Sequence, residues 1–536
     1  MSRSEDMQNS AAPLIISPTD DIGGSNEPLN IPPDDRFVPN TVIPLNSEIP
    51  KCFHAAIHNV YVRECYGVYY EYIHRVWGYG DLLTSVTGTP GIGKSFFYSY
   101  FFDRFRAENK DVTIVTASYN ADRTFQSCLI FYPGSLTGCL SDKIPVLRDA
   151  VYLFDGAPNV PPANVRMVCF TSPNHHWLRS ICKDELHTRL YMPVWTLEEL
   201  LDAADALKLS VSLETIGERF NFFGGSARYC LKSEAHSKKV DLAIDETRQK
   251  IWKITSFEEV ERALDQNIQT EEVNHQIFHC SPILLVDLPE RRELFIASVE
   301  IRELLDQSLI HWDLVKQREF VRMLRSSDYS SSLLGWIFEA FSARTLKTGG
   351  EFAVTRLSSP LETCAIVLDP DQFKTMPRSN YPAVDGVFRD NGTGLIWLFQ
   401  MTRAESHPLK GAGIKLLLKE IHELHALNHG RVRLVFVVPA NRAEFPEQNI
   451  VVPDLSLRGA SAVDMIPGIG RVSLHNIRKK SRISTADELR ERMNTDSTLE
   501  VYRRRLDAFE ESYRSPNYFD RIAEIPQFRL VMNEEF

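Results

Sequence analysis

Apolar residues in the first third of the chain gather in short strand-like stretches at residues 82–87, 111–117, 150–155 and 165–170, with few polar interruptions. Runs of this length predict strands buried on both faces, as in a parallel sheet covered by helices. An aromatic-rich stretch at 96–105 predicts a helix directly after the first strand. Residues 233–325 follow a mostly helical pattern. From about 333 the order changes to helix (334–346), strand (351–357), a hairpin (384–388 with 395–401), helix (413–427) and buried strand (432–438). Arg389-Asp390-Asn391-Gly392 supplies the turn of the hairpin. The pattern predicts an α/β protein with a tail at 1–40, a first folded unit at 41–235, a helical lid or linker at 236–325, a second folded unit at 326–445 and a helical C-terminal region at 446–536.

Composition narrows this picture modestly. At 536 residues the chain is too long for a single core, and 43% apolar residues suffice for several. A formal charge of -11 excludes a uniformly basic nucleic-acid binder, so any polyanion contact is local. Nine cysteines without a CxxC pair point to reduced thiols and a cytosolic or nuclear setting. No apolar run approaches the ~20 residues needed to cross a bilayer, so a soluble protein without a membrane partner is expected. The first 40 residues, rich in Ser, Asn, Asp and Pro, read as a disordered tail and lack a secretory core.

Chemistry enters at Gly88-Thr89-Pro90-Gly91-Ile92-Gly93-Lys94-Ser95, a full G-x-x-x-x-G-K-[ST] phosphate loop between a strand and a helix. Four fixed positions of this kind arise by chance in roughly two of a hundred chains this long. A helix opening at Lys94 aims free amides at a phosphate, with Lys94 on the β and γ oxygens and Ser95 on Mg²⁺. ATP or GTP with Mg²⁺ is the implied cofactor. Asp155, ending the third strand, has the type and place for a water-mediated Mg²⁺ contact; the alternative is a strand-terminal Asp-Gly turn. Gly156 stands where many ATPases carry a water-polarising Glu. Thr171 and Ser172 end the fourth strand, as a γ-phosphate sensor or a plain cap. Arg228, after Gly224-Gly225, is placed either to reach the γ-phosphate or to lie on a helix surface.

In the second unit Asp385 starts the first hairpin strand and Gln400 lies near the end of the second, so antiparallel pairing brings them to one end of the sheet. Together with Glu339 they form a candidate oxygen-ligand Mg²⁺ site, against a turn and ordinary polar strand residues. Further on, Pro467-Gly468-Ile469-Gly470 is followed by five basic residues and no acid over 471–482. Gly468, Gly470, Arg471, Lys479 and Lys480 fit a helix-hairpin-helix contact to DNA or RNA phosphates, or else a solvated basic face.

The order of elements after 333 is similar to the restriction-endonuclease-like PD-(D/E)XK core. That resemblance implies catalysis by Glu339, Asp385 and Gln400. It also expects Lys at 402, where this chain has Thr402; Lys410 is the nearest substitute, and His407 is a candidate base. Over about 50–460 the chain resembles the Crinkler and retrotransposon-hot-spot proteins. The resemblance rests on Val60-Tyr61-Val62-Arg63-Glu64-Cys65, the extended phosphate loop, Pro193-Val194-Trp195-Thr196, Gly224-Gly225-Ser226-Ala227-Arg228-Tyr229, and Val384-Asp385-Gly386-Val387-Phe388 followed by Leu398-Phe399-Gln400-Met401-Thr402. It implies an AAA-like or STAND-like P-loop NTPase with a parallel sheet, able to form an oligomer, joined to a nuclease-like α/β domain. It further implies action on nucleic acid in the nucleus and, for secreted members, an effector role in host cells. The remaining alternatives are a DNA-binding effector without cleavage and a signalling NTPase that recognises a protein.

Overall fold

The computed structural model describes residues 37–51, 58–172, 186–254, 274–284, 288–309, 331–375, 384–404, 409–442, 444–452, 482–493 and 517–532, with isolated positions between them. The chain is a mixed α/β protein with two seven-stranded sheets. Strands of the first sheet are Leu83–Thr87 (β1), Ile114–Tyr119 (β2), Phe125–Phe131 (β3), Cys139–Ser141 (β4), Val151–Asp155 (β5), Arg166–Phe170 (β6) and His187–Tyr191 (β7). Their spatial order is β4-β3-β2-β5-β6-β1-β7. The five strands from β2 to β7 are mutually parallel, and β3 and β4 extend one edge antiparallel. Every residue of β1, β2 and β5 is buried, the polar Thr84, Ser85, Thr116 and Ser118 included, as in a parallel sheet covered on both faces. Helices Glu64–Tyr79 (α1) and Lys94–Glu108 (α2) supply the aromatic core, where Tyr66, Tyr69, Phe97 and Phe101 are fully buried.

Two differences from the sequence pattern concern boundaries. The 236–325 segment is not helical throughout. After helix Ser237–Trp252 (α3) it forms an antiparallel hairpin, Phe278–Leu284 (β8) with Leu288–Ile296 (β9), and then helix Val299–Leu309 (α4). Phe278, Cys280, Leu294, Ile301 and Leu305 share the first sheet's core, so this segment is part of that body rather than a free linker. The continuous run Ile283-Leu284-Leu285-Val286 hides the strand alternation.

The second sheet contains Gly350–Arg356 (β10), Thr363–Leu368 (β11), Phe373–Thr375 (β12), Gly386–Arg389 (β13), Ile396–Met401 (β14), Val432–Pro439 (β15) and Gln527–Met532 (β16). Their order is β11-β10-β16-β15-β14-β13-β12. Here lies the second difference: β16 comes from the region expected to be helical, yet it is a central strand, parallel to β15 and antiparallel to β10. Its pattern in Gln527-Phe528-Arg529-Leu530-Val531-Met532 is alternating, and the basic residues upstream draw attention away from it. Helix Ser331–Lys347 (α5) touches both β12 and β14, while helix Gly411–Glu420 (α6) packs with the segment Asn517–Ala523. Among the described residues no helix is long and apolar enough to cross a membrane. The helix-hairpin-helix candidates Gly468, Gly470, Arg471, Lys479 and Lys480, with His407 and most of the tail, lie outside the described residues.

Candidate functional site

The phosphate loop joins β1 to α2, and its carbonyls are engaged from the protein side. Lys94 Nζ donates to Gly88 O and Thr89 O, both at 2.9 Å. The Arg228 amide donates to Gly91 O at 3.0 Å, Trp195 Nε1 to Ile92 O at 2.8 Å, and the Tyr66 hydroxyl to Gly93 O at 3.2 Å. Gly93, at the N-cap of α2, provides no side chain to cap the helix. With its carbonyls turned toward the protein, the loop at the start of α2 presents a geometry that favours an anion. Gly91 has φ +79°, and a Cβ there would fall 2.7 Å from Arg228 Cβ. The loop therefore accepts Arg228 only because position 91 has no side chain.

Ser95 Oγ donates to Asp155 Oδ1 at 2.7 Å. β6 lies between β1 and β5, which puts Asp155 one strand beyond the loop's own neighbour. Thr171, directly after β6, is buried and donates its amide to Val86 O at 2.9 Å, while its hydroxyl donates to Ser172 O at 3.1 Å. Hard oxygen donors at Ser95 and Asp155 fit Mg²⁺ chemistry. Gly156 has φ +102°, and a Cβ there would meet Tyr119 O at 2.5 Å. A glutamate at 156 is excluded by shape.

Beneath the loop is a buried ion pair that pattern reading did not find. Arg63, only 1% exposed, reaches Glu199 through Nη2 at 2.9 Å and Nε at 3.2 Å. It also donates to Pro193 O at 2.9 Å and Val194 O at 3.1 Å, and its guanidinium lies 4.4 Å from the Trp195 ring centre. Burial alone lowers its pKa, but Cys65 and Glu199 outweigh that, and Arg63 stays charged. Glu199 is also half of a capping box with Thr196, which starts helix Leu197–Ala206. Two segments far apart in sequence thus serve one arrangement: Arg63 and Pro193-Val194-Trp195-Thr196 meet to hold Trp195 against the loop.

On the loop's other side, Pro90, Ser226, Arg228, Tyr229, His275 and His279 line a cavity of about 20 Å³, enough for a single water. Burial, then Lys94 and Arg228, lowers the His275 pKa to about 4. Burial, then His275, lowers that of His279 to about 3. Both rings are neutral at pH 7, and neither His279 nitrogen has a partner among the described residues. A larger cleft of about 640 Å³ lies between Phe37, Asp103 and Leu136, away from every candidate site residue.

In the second sheet Asp385 and Gln400 do meet. Gln400 Nε2 and the Met401 amide both donate to Asp385 Oδ2 at 2.7 Å, and the Asp385 amide donates to Phe399 O at 2.8 Å. Gln400 is 3% exposed, and its Oε1 is a buried acceptor without a partner among the described residues. An orphaned acceptor beside a carboxylate fits a hard cation. Glu339 instead forms an ion pair with Arg302 of α4, a residue that sequence reasoning did not single out. Thr402 is buried where the related motif has lysine. Lys410 lies in a two-residue strand paired with Ile450–Val451. Among the described residues no three of His, Cys, Asp and Glu cluster as a metal site.

No protein-family model matches the chain, and no solved structure matches it. The chain is similar to Crinkler effector protein 15 of Phytophthora infestans, with 24% identity over 387 residues covering 66% of this chain. The match spans 58% of that protein's length. The relationship is Crinkler-like.

Proposed function

We propose that this chain is a Crinkler-like effector with a P-loop NTPase domain and a restriction-endonuclease-like domain. The first binds ATP or GTP with Mg²⁺, and the second acts on DNA or RNA inside a host cell, in the nucleus. The observation that carries the reading is the loop whose Gly88, Thr89, Gly91, Ile92 and Gly93 carbonyls are engaged by Lys94, Arg228, Trp195 and Tyr66, beside a Ser95–Asp155 contact. Lys94 and Arg228 offer positive charge to the phosphates, and the α2 amides complete the cradle. Mg²⁺ bound near Ser95 and Asp155 would neutralise charge on the β and γ phosphates.

At the second site Asp385 and Gln400 Oε1 are the oxygen donors for Mg²⁺, which would polarise a phosphodiester toward attack by water. Water adds to phosphorus, the P–O bond to the leaving sugar breaks, and the departing oxygen takes up a proton. Thr402 in place of lysine favours a second reading, a binding site that retains the fold without cleavage. Purified wild type, Lys94→Ala, Asp385→Asn and Gln400→Glu, incubated with duplex DNA, single-stranded DNA and RNA in Mg²⁺ or Mn²⁺, with and without ATP or GTP, test both. Cleavage lost in Asp385→Asn and kept or raised in Gln400→Glu supports the nuclease reading. Binding without cleavage in every form supports the second, and nucleotide affinity unchanged by Lys94→Ala removes the NTPase reading.

A further inference from the structure

The small cavity beside the phosphate loop gathers three buried ring nitrogens that no described residue satisfies. It has room for a single water, and Pro90 of the loop itself forms part of its wall. Some polar groups of that wall are already engaged: Gln276 Nε2 donates to the Tyr229 hydroxyl at 2.6 Å, and Gln276 Oε1 accepts from the Thr247 hydroxyl at 2.5 Å. The two histidines are not. His275 Nδ1 and both nitrogens of His279 lack a hydrogen-bond partner among the described residues, and His279 is 0% exposed. Buried polar atoms are satisfied by protein or by ordered water, and a water here would have its partners waiting. Burial keeps both rings neutral, against a small opposing pull on His279 from the His275 backbone.

Backbone contacts fix this cavity to the loop. The Cys280 amide donates to Thr89 Oγ1 at 3.0 Å, and Thr89 Oγ1 donates to Cys280 O at 3.3 Å, which ties β8 to the loop one residue beyond His279. On the other flank of Pro90, the Arg228 amide donates to Gly91 O at 3.0 Å, and a Cβ at Gly91 would fall 3.1 Å from Ser226 Oγ. The Phe295 ring backs His279 edge-on, with ring centres 6.0 Å apart. Thr89 and Gly91 are thus each bonded to a wall of the cavity that Pro90 lines between them. Arg228 lines it too, so the cavity lies beside the cation offered to the phosphates.

We infer that this cavity is the site of the water that attacks the terminal phosphate of the nucleotide, positioned by His275 and His279. The inference rests on the reading of the loop as one that binds ATP or GTP. A neutral imidazole carries one donor and one acceptor nitrogen, so the pair both accepts a hydrogen bond from the water and donates one to it. Gly156 leaves no room for a glutamate at the end of β5, and the histidines supply an acceptor from another element. In the step, the water oxygen bonds to the terminal phosphorus as the bond from phosphorus to the bridging oxygen breaks. The bridging oxygen leaves with its electron pair on the nucleoside diphosphate, and one water proton passes through the imidazole to an oxygen of the released phosphate.

The test uses the full chain with Mg²⁺ near neutral pH and three readouts: phosphate release from ATP and GTP, and affinity for ADP or GDP with beryllium fluoride and with aluminium fluoride. The beryllium complex mimics the terminal phosphate before attack, whereas the aluminium complex mimics the phosphoryl group together with its in-line water. His275→Gln and His279→Gln are each expected to slow phosphate release about a hundredfold or more, as loss of a proton-transfer group does. Both should bind the beryllium complex as wild type does, and the aluminium complex about tenfold or more weaker, because the contact is made only in the transition state. His425→Gln, at an exposed histidine far along the chain, serves as the control and is expected to match wild type in all three. Should the fully buried His279→Gln fail to fold, the partly exposed His275→Gln carries the test. Wild-type phosphate release in the variants overturns the inference, and so do equal effects on the two fluoride complexes, whether a loss or none. A wild type that binds nucleotide without releasing phosphate overturns it while leaving the loop reading intact, whereas a wild type that binds no nucleotide removes both.

Discussion

The phosphate loop and the Asp385–Gln400 pair are both polar sites at the ends of buried strands, but they are finished in opposite ways. Around the loop, partners come from within one body: Lys94, Arg228, Trp195 and Tyr66 engage its carbonyls, and Arg63 with Glu199 holds Trp195 in place. At the second site one acceptor, Gln400 Oε1, is orphaned among the described residues, beside the Asp385 carboxylate. A site closed upon itself is rigid before its ligand arrives, whereas one that keeps an orphaned acceptor is completed by what it binds.

The contrast can be broken first at Lys94. Lys94→Ala removes the mobile cation and the donor to two loop carbonyls, so labelled ATP and GTP are expected to lose all measurable affinity in equilibrium dialysis. Retained affinity would mean that the loop amides suffice. Next in size, Glu199→Ala leaves Arg63 buried without its counter-charge, at an expected cost of about 3–5 kcal/mol in urea unfolding. The same measurement on Arg302→Met should show under ~2 kcal/mol, because the Glu339 it leaves behind is 17% exposed where Arg63 is 1% exposed. A comparable loss in both would erase the distinction.

Gln400→Glu sharpens the comparison from the other side. A second carboxylate beside Asp385 strengthens a hard-cation site, so Mn²⁺ affinity should rise several-fold by electron paramagnetic resonance without nucleotide, and thermal stability in chelator should fall. The smallest effect is one of pH. His275 and His279 have folded pKa values of about 4 and about 3, below the ordinary 6.5. A depressed histidine binds its proton more readily when unfolded, so the stability it confers is full above about pH 6.5 and is lost as pH falls through 4. Hydrogen exchange between pH 7 and 4 should therefore open β8 and the loop before β14 and β15, and His275→Gln should flatten that slope. Simultaneous opening of both sheets would assign acid lability elsewhere.

Local pattern disclosed much of this. Strands β1, β5 and β6 and the meeting of Ser95 with Asp155 follow from short strand-like stretches and one motif, because Asp155 ends one locally recognisable strand and Ser95 closes the loop that follows another. The Asp385–Gln400 contact was legible too, since a hairpin register fixes which residues face each other. What escaped was non-local. Arg63 and Glu199 join through tertiary packing, and neither residue type advertises burial. Arg302 reads as one more charged position on an amphipathic helix until Glu339 is placed opposite it. The β8–β9 hairpin hid in a segment where the charged stretch Glu290-Arg291-Arg292-Glu293 suggested a helix, and β16 hid behind a basic segment that suggested helices.

β16 has one more consequence, for the order in which the chain acquires its shape as it leaves the ribosome. The first sheet draws all its strands from 83–191 and can close while the rest is still being made. The second must wait, because Thr355 pairs with Arg529 and Val435 with Phe528. Until residue 532 emerges, β10 and the apolar β15 each keep an unsatisfied edge, open to pairing with a neighbouring chain. Synthesis thus passes through an interval in which one half is native and the other is adhesive, and the length of that interval is set by translation speed rather than by the stability of either half.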